Sequence, residues 1–313
     1  MMRLIGLDWG TSSLRAFLFD ADGMVLEQRH RAWGIRQLPE GGFGAALNDV
    51  LAGWPTELPL IASGMVGSRQ GWREVPYVDV PAHLDALVAG IRAVDTGEGR
   101  LLHIVPGVRD AHGPDVMRGE ETQILGALAD DDIGERTLVL PGTHSKWVTT
   151  RDGRVTRVAT LMTGELFALL RHHSILGAGV SDAAGSDDDV DAFDAGVHAA
   201  RDSAASGVLS RLFSARTLVL DGRLAPASVP SYLSGLMIGE EWRIAAAQGW
   251  LRTDVPPLLI GDAAQRARYH CAAASFGVHL VDAAQDAAAC GLWRLATAAK
   301  LLETDASLVG VTH

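Results

Sequence analysis

Cysteine is almost missing: Cys271 and Cys290 are the only two in 313 residues, and they do not form a CxxC pair. That excludes a disulfide framework and a structural zinc site, fits a reducing compartment, and leaves both thiols as small buried hydrophobes. Runs of Lys or Arg are missing as well. With 27 basic residues against 38 acidic ones the formal net charge is −11, which speaks against nucleic acid or an anionic membrane as partner. An anionic ligand would have to be drawn by local donors and by a cation such as Mg²⁺. No uncharged stretch is long enough to span a bilayer. The apolar opening Met1–Leu7 meets Asp8 too soon for a signal peptide, so a cytoplasmic protein is expected. A GxSxG elbow is absent, which weakens a serine-hydrolase reading. His172 and His173 are adjacent, so on a helix they diverge and make a poor metal pair. Asp187, Asp188, Asp189 and Asp191 lack the glycine and terminal glutamate of a calcium loop and read as a solvated acidic loop.

What is present is the balance of a soluble globular chain, 48% hydrophobic and 21% charged, long enough for two cores. Leu4–Asp8 reads as a short buried strand, Gly10-Thr11-Ser12-Ser13 as a polar turn, Leu14–Phe19 as a period-two strand, and Asp20–Gly23 as a turn into extended Met24–Leu26. The same grammar returns in mid-chain: Leu138–Leu140, then Gly142-Thr143-His144-Ser145, Lys146–Thr149, the turn Arg151–Arg154, and Val155–Leu161. A repeat this long signals duplicated domains. Between the copies, strands are expected at Pro59–Val66 and Leu101–Val105, with helices at Pro81–Val94 and Glu120–Leu128. Later, helices are expected at Leu166–Leu170, Asp191–Phe213, Tyr232–Ala247, Gln265–Phe276 and Ala287–Ala299, and strands at Thr217–Leu220, Pro257–Gly261 and Val278–Val281. Alternating elements give an α/β class, divided at 1–130 and 131–313, with an interdomain cleft between the two sheets.

The chemistry concentrates in the repeated turns. A phosphate-binding turn needs small side chains, inward N–H groups and hydroxyls, which Gly10, Thr11 and Ser12 supply, and again Gly142, Thr143, His144 and Ser145. Lys146 adds a point charge. Asp8, at a strand end, can hold Mg²⁺ through water.

Six segments carry a family resemblance: Ile5–Ala16, Ser63–Ser68, Met117–Gln123, Leu140–Trp147, Leu161–Leu166 and Gly235–Gly239. Together they resemble the 2-dehydro-3-deoxygalactonokinase family, within the superfamily of actin, hexokinase and the glycerol and xylulose kinases. The resemblance runs nearly end to end. It implies two actin-like (ribonuclease H-like) domains, ATP and Mg²⁺ as cofactors, and phosphorylation of 2-dehydro-3-deoxy-galactonate at its terminal (C6) hydroxyl. The partner is then a small sugar acid, and a homodimer is compatible with it.

The resemblance also places residues. Glu120, at a helix start after a glycine, stands where related sugar kinases keep a catalytic Asp; it is the favoured base, with Asp115 a further candidate and Asp8 beside the metal. Arg69 resembles the arginine that meets polyol substrates in glycerol-type kinases. Gln70, Arg118 and Glu121 complete the substrate side, and Arg109, Arg15 and Arg73 stay open. Trp72 and Tyr77 could wall the sugar pocket. Gly261, at a strand-to-turn junction, resembles the glycine beneath the nucleoside. Three other readings compete: a kinase of another sugar acid or amino sugar, a sugar-responsive regulator, and an actin-like filament protein. The regulator would need a basic DNA-binding segment that the sequence lacks.

Overall fold

The computed structural model describes residues 2–97, 99–129, 133–177, 189–252, 254–283 and 286–303. They fall into two compact units: the described parts of Met1–Gly134, Thr150–Val158 and Ala284–His313, and those of Glu135–Thr149 and Ala159–Ala283.

The first unit opens with β1 (Met2–Trp9), β2 (Leu14–Asp20) and β3 (Val25–Arg31), an antiparallel meander with Asp8 opposite Arg15. It continues through α1 (Gly42–Leu51), β4 (Leu60–Ser63), β5 (Val78–Asp79), α2 (Leu84–Gly90), β6 (Arg92–Asp95), β7 (Leu101–Ile104), β8 (Val108–Asp110), β9 (Asp115–Met117) and α3 (Glu120–Ala127). The main sheet runs β3-β2-β1-β4-β7-β6, with β1, β4 and β7 parallel, and a small sheet runs β5-β8-β9. In the main sheet β1, β2 and β4 are buried because they are apolar almost throughout. Leu4, Ile5, Leu7, Phe17, Leu60 and Ile61, with Leu102 of β7, are fully enclosed, while the polar edge strand β3 is not.

The second unit holds β10 (Glu135–Leu140), β11 (Ser145–Arg151), β12 (Arg154–Leu161), α4 (Thr163–His173), α5 (Val190–Arg201), α6 (Ser214–Leu220), α7 (Val229–Ala247), β13 (Leu258–Leu259), α8 (Ala263–Ser275) and β14 (Val281–Asp282). Its sheet order is β12-β11-β10-β13-β14, with β10, β13 and β14 parallel. The order repeats β3-β2-β1-β4-β7, so the duplication read from the turns is a duplication of topology.

Helix α9 (Ala287–Ala298) packs on α3 and β1. A division at residue 130 therefore misassigns it. The cause is close fit: a Cβ on Gly126 would stand 1.9 Å from the Ala287 carbonyl oxygen, and one on Gly291 would stand 1.8 Å from that of Thr122. Side chains there would push the two helices apart. The segment Gly235–Gly239 has the same explanation. A Cβ on Gly235 would reach 2.0 Å from the Phe193 carbonyl, so these glycines let α7 lie against α5.

Four local expectations change. Thr217–Leu220 is the end of helix α6, not a strand; short β-branched runs are ambiguous, and packing against α7 decides. Helix α2 stops at Gly90, and Arg92–Asp95 pairs antiparallel with β7. Helix α5 ends at Arg201, so Asp191–Phe213 is not one helix. The strand expected from Val278 starts at Val281 because Gly277 and Val278 donate to Ala274 and Ala273 and close α8. Of the thiols, Cys271 is half-buried and Cys290 is exposed, so neither is a core residue. Asp187 and Asp188 lie outside the described residues, while Asp189 caps α5 by accepting from Ala192 N–H at 3.0 Å.

Candidate active site

In the first unit the candidate residues gather at the carboxyl ends of β1 and β4, the usual ligand-binding edge of a parallel sheet. Register puts Asp8 beside Ser63. The loop after β1 is closed by Gly10 N–H donating to the Ser13 carbonyl at 2.9 Å. Its carbonyls at Gly10 and Thr11 accept from Ile35 N–H (3.1 Å) and Arg36 N–H (3.2 Å). In a trans peptide C=O and N–H point opposite ways, so the amides of Thr11 and Ser12 turn away from that segment. Two amides turned the same way are the kind of donor pair that can meet an anion. Gly34 makes this possible: a Cβ there would meet the Thr11 carbonyl at 2.2 Å. Asp8 is ion-paired with Arg15, whose Nε donates to Asp8 Oδ2 at 3.1 Å.

Two glycines in left-handed backbone bring α3 to this edge. Gly64 has φ +96° and Gly119 φ +113°, and a Cβ on Gly119 would lie 3.3 Å from Gly64 Cα. The two acids that follow are treated differently. Glu120 is half-buried, with Oε2 accepting from Arg118 N–H at 2.9 Å. Glu121 is fully enclosed, and both its oxygens accept from Gly119 N–H, at 2.9 and 2.8 Å. Burial, and then the charge of Glu120, push the Glu121 carboxyl up to about 8.

That shift has a consequence for stability. An acid that holds its proton more tightly when folded stabilises the fold below its ordinary value of 4.5, and the contribution is lost as pH rises through about 8. Glu121→Gln is expected to remove this loss, so its melting temperature falls less steeply than wild type over that window. Melting curves at closely spaced pH check it, and parallel curves would contradict it.

Among the arginines, Arg118 is buried: its Nη2 donates to the Val75 carbonyl at 2.8 Å, and its guanidinium lies over the Tyr77 ring, 4.2 Å from the centroid. Its Nε and Nη1, like the hydroxyls of Ser63 and Ser68, are buried without a hydrogen-bond partner. Arg109 is held by Asp79 at 2.6 and 3.0 Å, and Arg73 donates to the Ala93 carbonyl at 2.9 Å. Arg69 and Gln70 are exposed just past the Met65–Gly67 turn. Trp72 stacks on Phe43 at 5.6 Å and belongs to the core around Trp9. Asp115 lies on β9, in the small sheet.

In the second unit, Gly142–Ser145 occupies the same topological position, between the first and second strands of its sheet. A Cβ on Gly164 would lie 2.7 Å from the Gly142 carbonyl, so the start of α4 rests directly on the loop. His144 Nε2 meets Glu165 Oε2 at 2.5 Å, and Glu165 N–H donates to the Thr143 carbonyl at 3.0 Å. Two expected ligands point inward. Ser145 is fully buried, with Oγ 3.1 Å from Tyr269 Oη. Lys146 is buried, its Nζ donating to Thr160 Oγ1 at 2.7 Å. Gly261 precedes the capping box of Asp262 and Gln265, and Gln265 Nε2 donates to the Pro141 carbonyl at 3.4 Å. A cavity of about 110 Å³ adjoins the loop, lined among others by Gly142, Gly164, Phe167, Met237, Ile238 and Tyr269.

Sequence reasoning missed Glu165, Gly34, Glu241 and Tyr269. The last two form the buried floor of this loop. A lone signal existed for Glu241, an acid in a helix that is otherwise enclosed on nearly every side.

Repeated sheet order and repeated loops define the class: an α/β fold of the actin-like ATPase and sugar-kinase type. The activator of 2-hydroxyisocaproyl-CoA dehydratase from Clostridium difficile shares this fold, with a TM-score of 0.51 at 11% identity over 96% of each chain. The chain itself belongs to the 2-keto-3-deoxy-galactonokinase family, whose model matches residues 8–295. It is 35% identical to the 2-dehydro-3-deoxygalactonokinase of Escherichia coli (strain K12), over 91% of this chain and 94% of that protein. A Rhizobium meliloti (strain 1021) protein that provisionally bears the same name is 39% identical over 92% and 97%. A Sinorhizobium meliloti crystal structure, solved for a candidate of that activity, has a TM-score of 0.84 at 38% identity, covering 94% of this chain and 98% of that one.

Proposed function

We propose that this chain transfers the γ-phosphate of ATP to the terminal C6 hydroxyl of 2-dehydro-3-deoxy-galactonate. The observation that carries the reading is the recurrence of one Gly-Thr-x-Ser loop at the same position in both sheets, in a chain of this kinase family. Membership of a kinase family supports ATP use.

Phosphoryl transfer asks a protein mostly for positioning and charge neutralisation. Within the first unit the amides of Thr11 and Ser12 are the phosphate donors; within the second the loop Gly142–His144 takes phosphate oxygens, with Gly261 and the cavity beside Met237 and Ile238 on the nucleoside side. Ser145 and Lys146 support their loop from behind. No group of three metal-binding side chains occurs among the described residues. Mg²⁺ carried in on the phosphates would keep part of its water, and Asp8 would hold it through one such water. Bound there, Mg²⁺ would neutralise charge on the phosphate oxygens. Glu120 accepts the proton of the C6 hydroxyl. Arg69 and Gln70 meet the sugar acid from the exposed turn, while Arg118 and Glu121 hold that turn and the α3 start in place. A guanidinium is the natural partner of the substrate carboxylate. The working compartment of such an enzyme is the cytoplasm; among the described residues no helix is long and apolar enough to cross a membrane.

A panel of sugars with ATP and Mg²⁺, read by ADP release, tests the proposal. Turnover is expected on 3-deoxy-2-oxo sugar acids and not on aldohexoses. The reverse pattern, or turnover without any sugar, would overturn it.

A further inference from the structure

We propose that Glu241 is a positioning residue of the phosphate loop: directly and through Tyr269 it fixes Ser145, and through Ser145 the turn at Gly142. The inference rests on reading that loop as the nucleotide site.

Glu241 lies on α7 and is 1% exposed. Its Oε2 accepts from Trp147 Nε1–H at 2.8 Å and its Oε1 from Tyr269 Oη–H at 2.8 Å. The Thr163 and Ser145 hydroxyls also donate toward it, and burial pushes its carboxyl upward against the pull of these donors. Each partner belongs to a different segment around the loop: Trp147 to β11, Thr163 to the first position of α4, and Tyr269 to α8.

The protons have a direction. An indole N–H can only donate, and a tyrosine has one proton to give. Tyr269 spends that proton on the carboxylate, so toward Ser145 Oγ, 3.1 Å away, its oxygen can only accept; the Ser145 proton is shared with the Gly142 carbonyl at 3.4 Å and with Glu241 itself. The Ser145 oxygen is then the acceptor for Gly142 N–H at 3.4 Å. A chain of donated protons thus runs from a loop amide to one carboxylate in the interior. The same carboxylate anchors Thr163, the neighbour of the Gly164 that presses on the loop. Burying a carboxylate is costly compared with an apolar side chain of equal size. What an apolar side chain could not supply is this set of fixed directions, and a loop that binds by its backbone depends on them.

Two variants test it, by steady-state kinetics and by calorimetric titration with a non-hydrolysable ATP analogue. Tyr269→Phe keeps the ring in the core and removes the Tyr269 branch, leaving Ser145 only its direct contact with Glu241. Glu241→Gln keeps the shape but turns an NH₂ toward a donor. Each is expected to raise the KM for ATP by about 10- to 100-fold, the size of one hydrogen bond to a charged group. The KM for the sugar acid should stay within about twofold. The double variant should be little worse than Glu241→Gln alone, because both break one chain. A lowered melting temperature with an unchanged KM for ATP would overturn the proposal, and so would an equal rise in both KM values. Gly142→Val separates the two layers. If that variant still binds the analogue as wild type does, the reading of the loop itself fails. If it loses binding while Tyr269→Phe keeps it, only the role of Glu241 fails.

Discussion

Glu120→Gln is expected to lower kcat on the sugar acid by about 10²- to 10⁴-fold, the usual range for a lost general base, with affinity for ATP retained. The adjacent acids make the experiment selective. Glu121 is fully enclosed and has both oxygens committed to Gly119 N–H. It cannot swing to a substrate without leaving that amide unpaired, at a cost of about 1–3 kcal/mol. Glu120 is half-buried and holds Arg118 N–H by one oxygen. Glu121 thus fixes the helix start, and the proposed base is the half-buried neighbour, Glu120. Glu121→Gln should keep most of kcat while changing the pH dependence of melting. A Glu120→Gln enzyme with near-normal turnover would remove Glu120 from the mechanism, with Asp115 and Asp8 next to be tried.

Gly164→Ala is expected to raise the KM for ATP by about tenfold or more and to destabilise the fold by about 1–3 kcal/mol, the range for overpacking. The added Cβ would stand 2.7 Å from the Gly142 carbonyl oxygen and 2.8 Å from Thr143 Cα. Both are backbone atoms, so no side-chain rotation relieves the clash; either α4 or the loop must move. Alanine is otherwise well suited to a helix start, so propensity works in favour of the variant. Kinetics with varied ATP and a denaturant titration check the two halves separately. Wild-type values in both would show that the α4 start does not press on the loop as described.

The repeated hairpins were legible because they depend on local signals: alternation in Leu14–Phe19, glycine at Gly23 and Gly153, and hydroxyls in both loops. The α/β class was also readable from the alternation of strands and helices, whereas the strand order within each sheet came only with the structure. What was hidden depends on contacts remote in sequence. Helix α1, in a stretch where no element was expected, begins among Gly41, Gly42 and Gly44, and its Ala46, Leu47 and Val50 are buried against the first sheet. Helix α9 looks like an ordinary closing helix, and only the fit of Gly291 against Thr122 assigns it to the first unit.

The site divides the same way. Composition named the loops, but which side chains turn inward was decided by partners far along the chain. Ser145 faces Tyr269, 124 positions later, and Lys146 is claimed by Thr160. Arg118 and Arg109 looked equivalent as sequence. One proves buried over Tyr77 and the other locked to Asp79, while Arg69 and Arg73 are both exposed past the Met65–Gly67 turn. Charge-bearing residues are interchangeable on paper because their reach is long; burial tells them apart.

Position-resolved analysis of the product tests the central claim most directly. After incubation with ATP, Mg²⁺ and 2-dehydro-3-deoxy-galactonate, phosphorus-to-proton correlated NMR should show one new phosphate ester coupled to the C6 protons. An ester at any other carbon, or inorganic phosphate as the sole new phosphorus signal, would contradict it.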